Sequence, residues 1–369
     1  MTTELPLEIK EKINFINAKY DQLNIESVNS KIIQNIEELF HFLSLNSKSE
    51  IYLSFLLELK NRILDYINDY KRYLQKKKFY QTKNTNIDNK YLIGKLENKI
   101  TEKIIKISNK KINLLEKNAL CKKLERSDLT INGGIFVLRL IKIINKELKK
   151  NGYLKIISDY LKQDTEVTGL ALELSSEHST WWKHKDINRP EPKTLYAHLD
   201  KELKNIKAII YLSNVTEQNG PLTFYPGIYE NLKINILQNI IGRVINDFVY
   251  TNNNLLKNYY NFQNLSQPFQ SKKFKEHFNE LPKILQFNSH FGWDIESGSK
   301  EETNLLSVEK KIIGELGTFI IFDGAQLIHS GGLVKKDQRI ALQLIFGEKQ
   351  SFIKFFYKKF KNFTKKLTL

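Results

Sequence analysis

Apolar positions in the first third of the chain recur at helical spacing. Ile51, Phe55, Leu56, Leu59, Ile63, Tyr66 and Ile67 mark one face of a helix expected from about Ser49 to Lys78. Ser27 and Ser49 stand where N-caps belong. The polar run Gln81–Asn89 predicts a loop, and a second long helix follows it through Leu115. Further helices are expected over Phe136–Lys150 and Tyr153–Leu161. Turn-forming residues are unevenly spread: before Gly133 the only ones of their kind are Pro6 and Gly94, out of 16 glycines and 7 prolines. The first third therefore reads as helical and the remainder as turn-rich.

After Leu161 the period shortens. Thr168–Leu174, Leu195–Asp200, Ile206–Ser213 and Leu222–Tyr225 are short, apolar and bounded by turn residues, as strands are. Asn219-Gly220 predicts a tight turn between the last two. A polar and aromatic insertion runs from Tyr229 to about Leu316, and strands resume over Thr318–Phe322, Ala325–His329 and Arg339–Phe346, with Asp323-Gly324 turning the first into the second. The pattern predicts an α+β chain. It divides into a helical region over 1–125, a jelly-roll or cupin-like β core over 126–348 that carries the insertion, and a tail over 349–369. In the tail, Phe352, Phe356, Phe360, Phe363 and Leu367 share one helical face and lysines crowd the other. A basic amphipathic helix of this kind can lie on an acidic membrane surface, although packing on its own domain is the commoner use.

Composition changes this picture little. The chain has 369 residues, a formal charge of +17 and one cysteine, Cys121, which excludes an intrachain disulfide and any multi-cysteine metal site. With no apolar stretch long enough to span a bilayer and no leader-like start, a cytoplasmic protein is expected. The positive charge is spread over the whole chain among Ile and Asn, without a nucleic-acid-binding signature, and argues against nucleic acid as the main partner.

Chemistry enters at Thr194-Leu195-Tyr196-Ala197-His198-Leu199-Asp200. In a strand, residues two apart share a face, so His198 and Asp200 would project together. An imidazole and a carboxylate on one wall are two thirds of a two-histidine, one-carboxylate metal site with open positions, the arrangement that serves non-haem Fe(II). The missing imidazole is expected from a neighbouring strand. His41 falls in the helical region, and His178, His184, His277 and His290 fall in irregular sequence, which leaves His329 at the end of a predicted strand. Arg339 opens the next strand. A hairpin through Gly332–Lys336 would set it opposite His329, where a guanidinium could pair with the distal carboxylate of a dicarboxylate co-substrate.

The segments TLYAHLD, IKAIIYLSNVTEQNGPLTFYPG and GTFIIFDGAQLIHSGGLVKKDQRIALQLIF resemble the phytanoyl-CoA dioxygenase-like family of Fe(II)/2-oxoglutarate-dependent oxygenases, over roughly Tyr153–Gly347. The resemblance implies a double-stranded β-helix, His198, Asp200 and His329 as iron ligands, and Arg339 as the 2-oxoglutarate anchor. It further implies O2 as oxidant and hydroxylation of a small-molecule, lipid or sugar-type substrate. Three features depart from the family: Pro226-Gly227-Ile228-Tyr229 replaces its usual Pro-Gly-Ser-His, the insertion lengthens the path between the histidines, and the helical region is additional.

Blander readings stand beside these. His198 and His329 could be core histidines bonded to backbone, and Arg339 could pair with Asp337 or Asp323. Trp181, Trp182, His178 and His184 could line a substrate pocket or cap the barrel; Tyr225, Tyr259, Tyr260, Phe262, Phe287, Phe291 and Trp293 could form a lid or a core. A catalytically silent barrel acting as an adaptor or membrane-surface module, or a metal-dependent hydrolase, would use the same fold.

Overall fold

The computed structural model describes residues 5–47, 49–77, 90–120, 126–177, 196–201, 206–228, 234–262, 268–332 and 334–349. His178, His184, Trp181, Trp182 and the tail from 351 to 369 lie outside them. Three helices come first: α1 (Leu7–Lys19), α2 (Glu26–Leu45) and α3 (Glu50–Lys77). Ser49 caps α3 as expected, accepting from Tyr52 N at 3.1 Å. Ser27 is not a cap, because α2 already begins at Glu26 behind Ile25. A five-residue strand, β1 (Tyr91–Lys95), precedes α4 (Asn98–Ala119) inside the stretch expected to be wholly helical. So short an apolar run carries no period that separates strand from helix.

Then follow β2 (Thr130–Ile131), α5 (Gly134–Lys150), α6 (Tyr153–Leu161), β3 (Thr165–Ser176), β4 (Ile206–Tyr211) and β5 (Leu222–Phe224). The insertion is helical, with α7 (Ile236–Val244), α8 (Asn254–Tyr260), α9 (Lys272–Glu280) and α10 (Lys300–Ser307), and its expected span also includes a strand, β6 (Lys310–Ile312). β7 (Thr318–Asp323), β8 (His329–Gly331) and β9 (Gln338–Glu348) complete the described chain.

The strands form two antiparallel sheets, one in the order β1-β7-β4-β9-β3-β2 and the other β6-β5-β8. Strand alternation gives the larger sheet two different faces. Leu170, Leu172, Leu174, Ile206, Ala208, Ile210, Leu342 and Leu344 pack with residues of α4, α5 and α6 such as Ile104, Leu140 and Ile157. The opposite face contributes Tyr211, Ile320, Phe322 and Ala341 to a core shared with Leu222, Phe224 and Ile312 of the smaller sheet. Tyr211 ties the sheets together: its hydroxyl donates to Ile312 O at 2.7 Å and accepts from Leu222 N at 3.1 Å.

This two-sheet arrangement overturns the expected local pairings. Neither Asn219-Gly220 nor Asp323-Gly324 closes a hairpin; each lies where the chain leaves the larger sheet for the smaller one, between β4 and β5 and between β7 and β8. Gly220 does take the left-handed conformation a turn requires, with φ of +72°. β8 and β9 also lie in different sheets, so His329 and Arg339 are not hairpin partners. Ser330 of β8 pairs with Thr223, and Arg339 of β9 with Ser175.

A separate core joins α1–α3 to the insertion. Ile36, Leu39, Phe40, Phe55, Leu59 and Ile63 are buried with Leu237, Ile241, Phe248 and Phe274. Tyr259, Tyr260 and Phe262 belong here rather than to a lid: Tyr260 OH bonds His277 Nδ1 at 2.8 Å, and Tyr259 stacks on the His277 ring. Phe55 lies at the centre, with ring centroids 5.3 Å from Phe248 and 5.8 Å from Phe274. Phe55→Ala should destabilise the protein by about 3–5 kcal/mol in a denaturant titration, because helices α1–α3 and the insertion lose their shared contact.

Candidate metal centre

TLYAHLD is not a regular strand. In its described part only His198 makes a bridge, and the partner is His329. The two residues exchange both backbone bonds, His198 N to His329 O and His329 N to His198 O, each at 3.0 Å. The predicted strand Ala325–His329 likewise starts late, at His329, after a turn. Asp200 N donates to Gly324 O at 2.8 Å, so the carboxylate is held over the turn that leads to His329.

From the insertion, α7 brings Arg243 beneath these segments. Its buried guanidinium donates to Asp200 O at 2.6 Å and to Ala325 O, so one side chain holds the backbone of both ligand-bearing segments. Helix α7 is itself seated closely at Gly242, where an added Cβ would lie 2.6 Å from Phe287 Cδ1 and 2.7 Å from Phe287 O.

His198, Asp200 and His329 are buried together, with one potential ligand atom from each within 4.8 Å of the others. Asp200 Oδ2 is 3.9 Å from His329 Nε2, and Oδ1 is 3.9 Å from His198 Nε2. Both rings have a fixed tautomer. His198 Nδ1 lies 2.8 Å from Tyr196 O, and His329 Nδ1 3.0 Å from Leu327 O. A carbonyl only accepts, so each Nδ1 carries the proton and each Nε2 presents a lone pair. Burial pushes His198 down to about 3 and also lowers His329, which keeps both imidazoles neutral. Burial opposes ionisation of Asp200, yet the Lys207 ammonium, 2.6 Å from Oδ1, holds its carboxyl below the usual carboxylate range.

These residues fit a cation. Asp200 Oδ2 is buried without a hydrogen-bond partner, an orphaned acceptor beside a histidine lone pair. Gly324 leaves it room: a Cβ there would stand 1.8 Å from Oδ2. Two neutral imidazoles and one carboxylate are the donor set of a facial metal site. The reading of His198 and His329 as core histidines bonded to backbone is correct for each Nδ1, but it leaves Nε2 unexplained.

A cavity of about 400 Å³ opens from this cluster between the sheets, lined among others by Lys207, His290 and Arg339. Arg339 reaches it from β9, donating to Gly220 O and, at 3.2 Å, to Ser175 Oγ. It does not use Asp323, which accepts instead from Tyr160 OH at 2.6 Å and from Ala325 N at 2.9 Å. Tyr225 is buried beside the site and bonds Ser330 Oγ at 3.2 Å, while Phe287 and Phe291 pack against a core containing Ala197 and Leu199.

His290 and Lys207 both reach this cavity beside the three potential ligands. His290 stacks on His198 with ring centroids 4.9 Å apart, and burial pushes it down to about 3. Its surroundings, Asn288-Ser289-His290, carry no periodic signal. Lys207 does have a local signal: alternation in IKAIIYLS places it on the same face as Ile209 and Tyr211.

No protein-family model matches the sequence, and no curated protein matches it. Among solved structures, EctD from S. alaskensis with bound Fe has a TM-score of 0.34 and 11% identity, covering 70% of this chain and 73% of that one. AviO1 from Streptomyces viridochromogenes Tue57 has a TM-score of 0.37 and 9% identity, covering 71% and 91%. HygX from Streptomyces hygroscopicus, with nickel and 2-oxoglutarate bound, has a TM-score of 0.35 and 11% identity, covering 71% and 83%. Likeness at this level carries no chemistry, which rests on the side chains of this chain. Among the described residues no helix is long and apolar enough to cross a membrane.

Two outcomes are expected. Gly324→Ala should weaken Mn(II) binding at least about tenfold by calorimetry, since the added methyl group displaces the Asp200 carboxylate. The buried neutral histidines should also make metal-free stability depend on pH. Their folded pKa values lie below the ordinary 6.5, so the unfolded chain binds more protons and stability is lost as pH falls from about 6.5. His198 and His290, both pushed down to about 3, each contribute roughly 1.4 kcal/mol per pH unit once that limb is reached, and His290→Gln should flatten urea-derived stability between pH 6 and 4.5 by one such share.

Proposed function

We propose that the chain is an Fe(II)- and 2-oxoglutarate-dependent oxygenase of the phytanoyl-CoA dioxygenase-like kind, its two sheets forming a double-stranded β-helix. The observation that carries the reading is Asp200 Oδ2, buried and unpartnered beside histidines whose Nε2 lone pairs face inward, with Arg339 on the same cavity. His198, Asp200 and His329 would hold the metal. Bound iron would supply activation of O2 coupled to decarboxylation of 2-oxoglutarate to succinate, and with it hydroxylation of a C–H bond.

The protein's own part is positional and electrostatic. The reciprocal bonds between His198 and His329 fix two ligands against one another, and Asp200 adds the negative charge that favours a dication over a proton or water. Arg339, steadied by Gly220 O and Ser175 Oγ, has further donors for the distal carboxylate of 2-oxoglutarate, the bidentate pairing a guanidinium favours. Burial between the sheets keeps bulk water from the reacting centre. A small-molecule, lipid or sugar-type substrate would enter the remaining cavity, and a chain with one cysteine suits a reducing cytoplasm.

The test is succinate formation from 2-oxoglutarate with Fe(II) under air. The wild type should form succinate, His198→Ala should not, and Arg339→Ala should raise the 2-oxoglutarate requirement on the order of 30-fold, the effect of removing one member of a buried charge pair. Equal rates in all three would refute the assignment.

A further inference from the structure

We propose that Lys207 is a positioning residue for the metal-binding carboxylate, confining Asp200 to coordination through a single oxygen. The inference rests on the metal-site reading above. Along β4, Ile206, Ala208 and Ile210 face the helices, while Lys207, Ile209 and Tyr211 face the gap between the sheets. A lysine at such a position keeps little contact with water, and the Lys207 side chain is only 15% exposed. Its ammonium lies 2.6 Å from Asp200 Oδ1.

The two oxygens of one carboxylate are thereby made unequal. Oδ1 is engaged by a full positive charge; Oδ2 is buried, has no hydrogen-bond partner and stands 3.9 Å from His329 Nε2. A dication gripping both oxygens would have to displace the ammonium and leave a buried lysine charge without its counter-ion, which is strongly unfavourable. With Lys207 in place Asp200 takes one coordination position, and the remainder stay open for a chelating co-substrate. The same ammonium repels a dication across a low-dielectric gap. Lys207 therefore weakens metal binding and strengthens co-substrate binding, and this opposition distinguishes it from a residue that merely supports the fold.

Lys207→Met keeps the aliphatic stem and removes the charge. The intact protein is titrated with Mn(II) by calorimetry without oxygen, and the Mn(II)-loaded protein is then titrated with 2-oxoglutarate. In Lys207→Met the Mn(II) Kd should fall by at least about fivefold, while the 2-oxoglutarate Kd rises by about tenfold. Lys207→Arg should return both toward wild type. Weakening of both ligands together, the usual result of losing an outer support, would overturn the proposal, as would no change in either. If the wild type itself binds neither Mn(II) nor 2-oxoglutarate, the metal-site reading fails and the role of Lys207 with it. A wild type that binds both beside an unchanged variant removes Lys207 alone. The infrared difference spectrum of wild-type protein with and without Mn(II) needs no variant to fold. Coordination through one oxygen widens the separation of the two carboxylate stretches, and a narrowed separation, the mark of chelation, would refute the inference.

Discussion

The antiparallel bridge between His198 and His329 is the contact on which the site depends. These residues are 131 positions apart (329 − 198), yet each donates its amide to the other's carbonyl at 3.0 Å. One pair of backbone bonds thus sets the separation of two imidazoles, and each ring is turned inward by a bond to the carbonyl two residues before it. Asp200 joins through its own amide to Gly324 O, on the turn that leads into His329. Three potential ligands are therefore fixed by backbone geometry before any cation arrives, and little ordering is left for binding to supply.

Such a frame needs support from outside the sheets, because His198 and Asp200 lie in irregular backbone with little sheet pairing of their own. Arg243 supplies it. A buried guanidinium is costly unless its donors are satisfied, and here they go to Asp200 O, Ala325 O and the Asn239 side chain. The helix that carries Arg243 is held in turn by the core it shares with α1, α2 and α3. The first three helices and the insertion thus form one packed unit, which reaches the candidate metal centre through Arg243 and, farther along the insertion, through His290 stacked on His198 and the Ser289 carbonyl that accepts from Leu199 N. A substitution in Phe55 or Ile63 can be felt at the site although neither residue lines the cavity.

Charge is arranged with comparable economy. Asp200 is the anion at the centre, Lys207 is its close counter-ion, and Arg339 stands on the same cavity bonded to neutral oxygens. Glu173 and Lys201 also line the cavity, so its wall carries three positive side chains against two negative ones, a small excess that would suit an anionic co-substrate. His290, stacked on His198 and kept neutral by burial, adds a polar ring without adding charge.

Periodicity alone located most elements. α3 and α6 fall where the apolar spacing puts them, β3, β7 and β9 contain the predicted strands, and β4 starts at the predicted Ile206 but ends at Tyr211, two residues short of Ser213. The same alternation set the facing of Lys207 opposite to that of Ile206 and Ala208, because the side-chain direction in a strand is a local property. It also proposed His198, Asp200, His329 and Arg339 as a group, which the structure brings to one cavity. What sequence could not decide was which strand lies beside which. Asn219-Gly220 and Asp323-Gly324 have the chemistry of hairpin turns, yet they carry the chain between sheets, because burial of both faces of β4 and β7 outweighs local pairing. For the same reason Arg339 meets the histidines across the sandwich rather than along a hairpin. His290 and Arg243 left no mark in the sequence, since neither a stacked ring in a loop nor a guanidinium beneath a turn produces a pattern. The chain by itself determined its elements and the identities of its reactive groups; the packing of two sheets against two sets of helices decided their distances, because only burial sets contacts between residues so far apart in sequence.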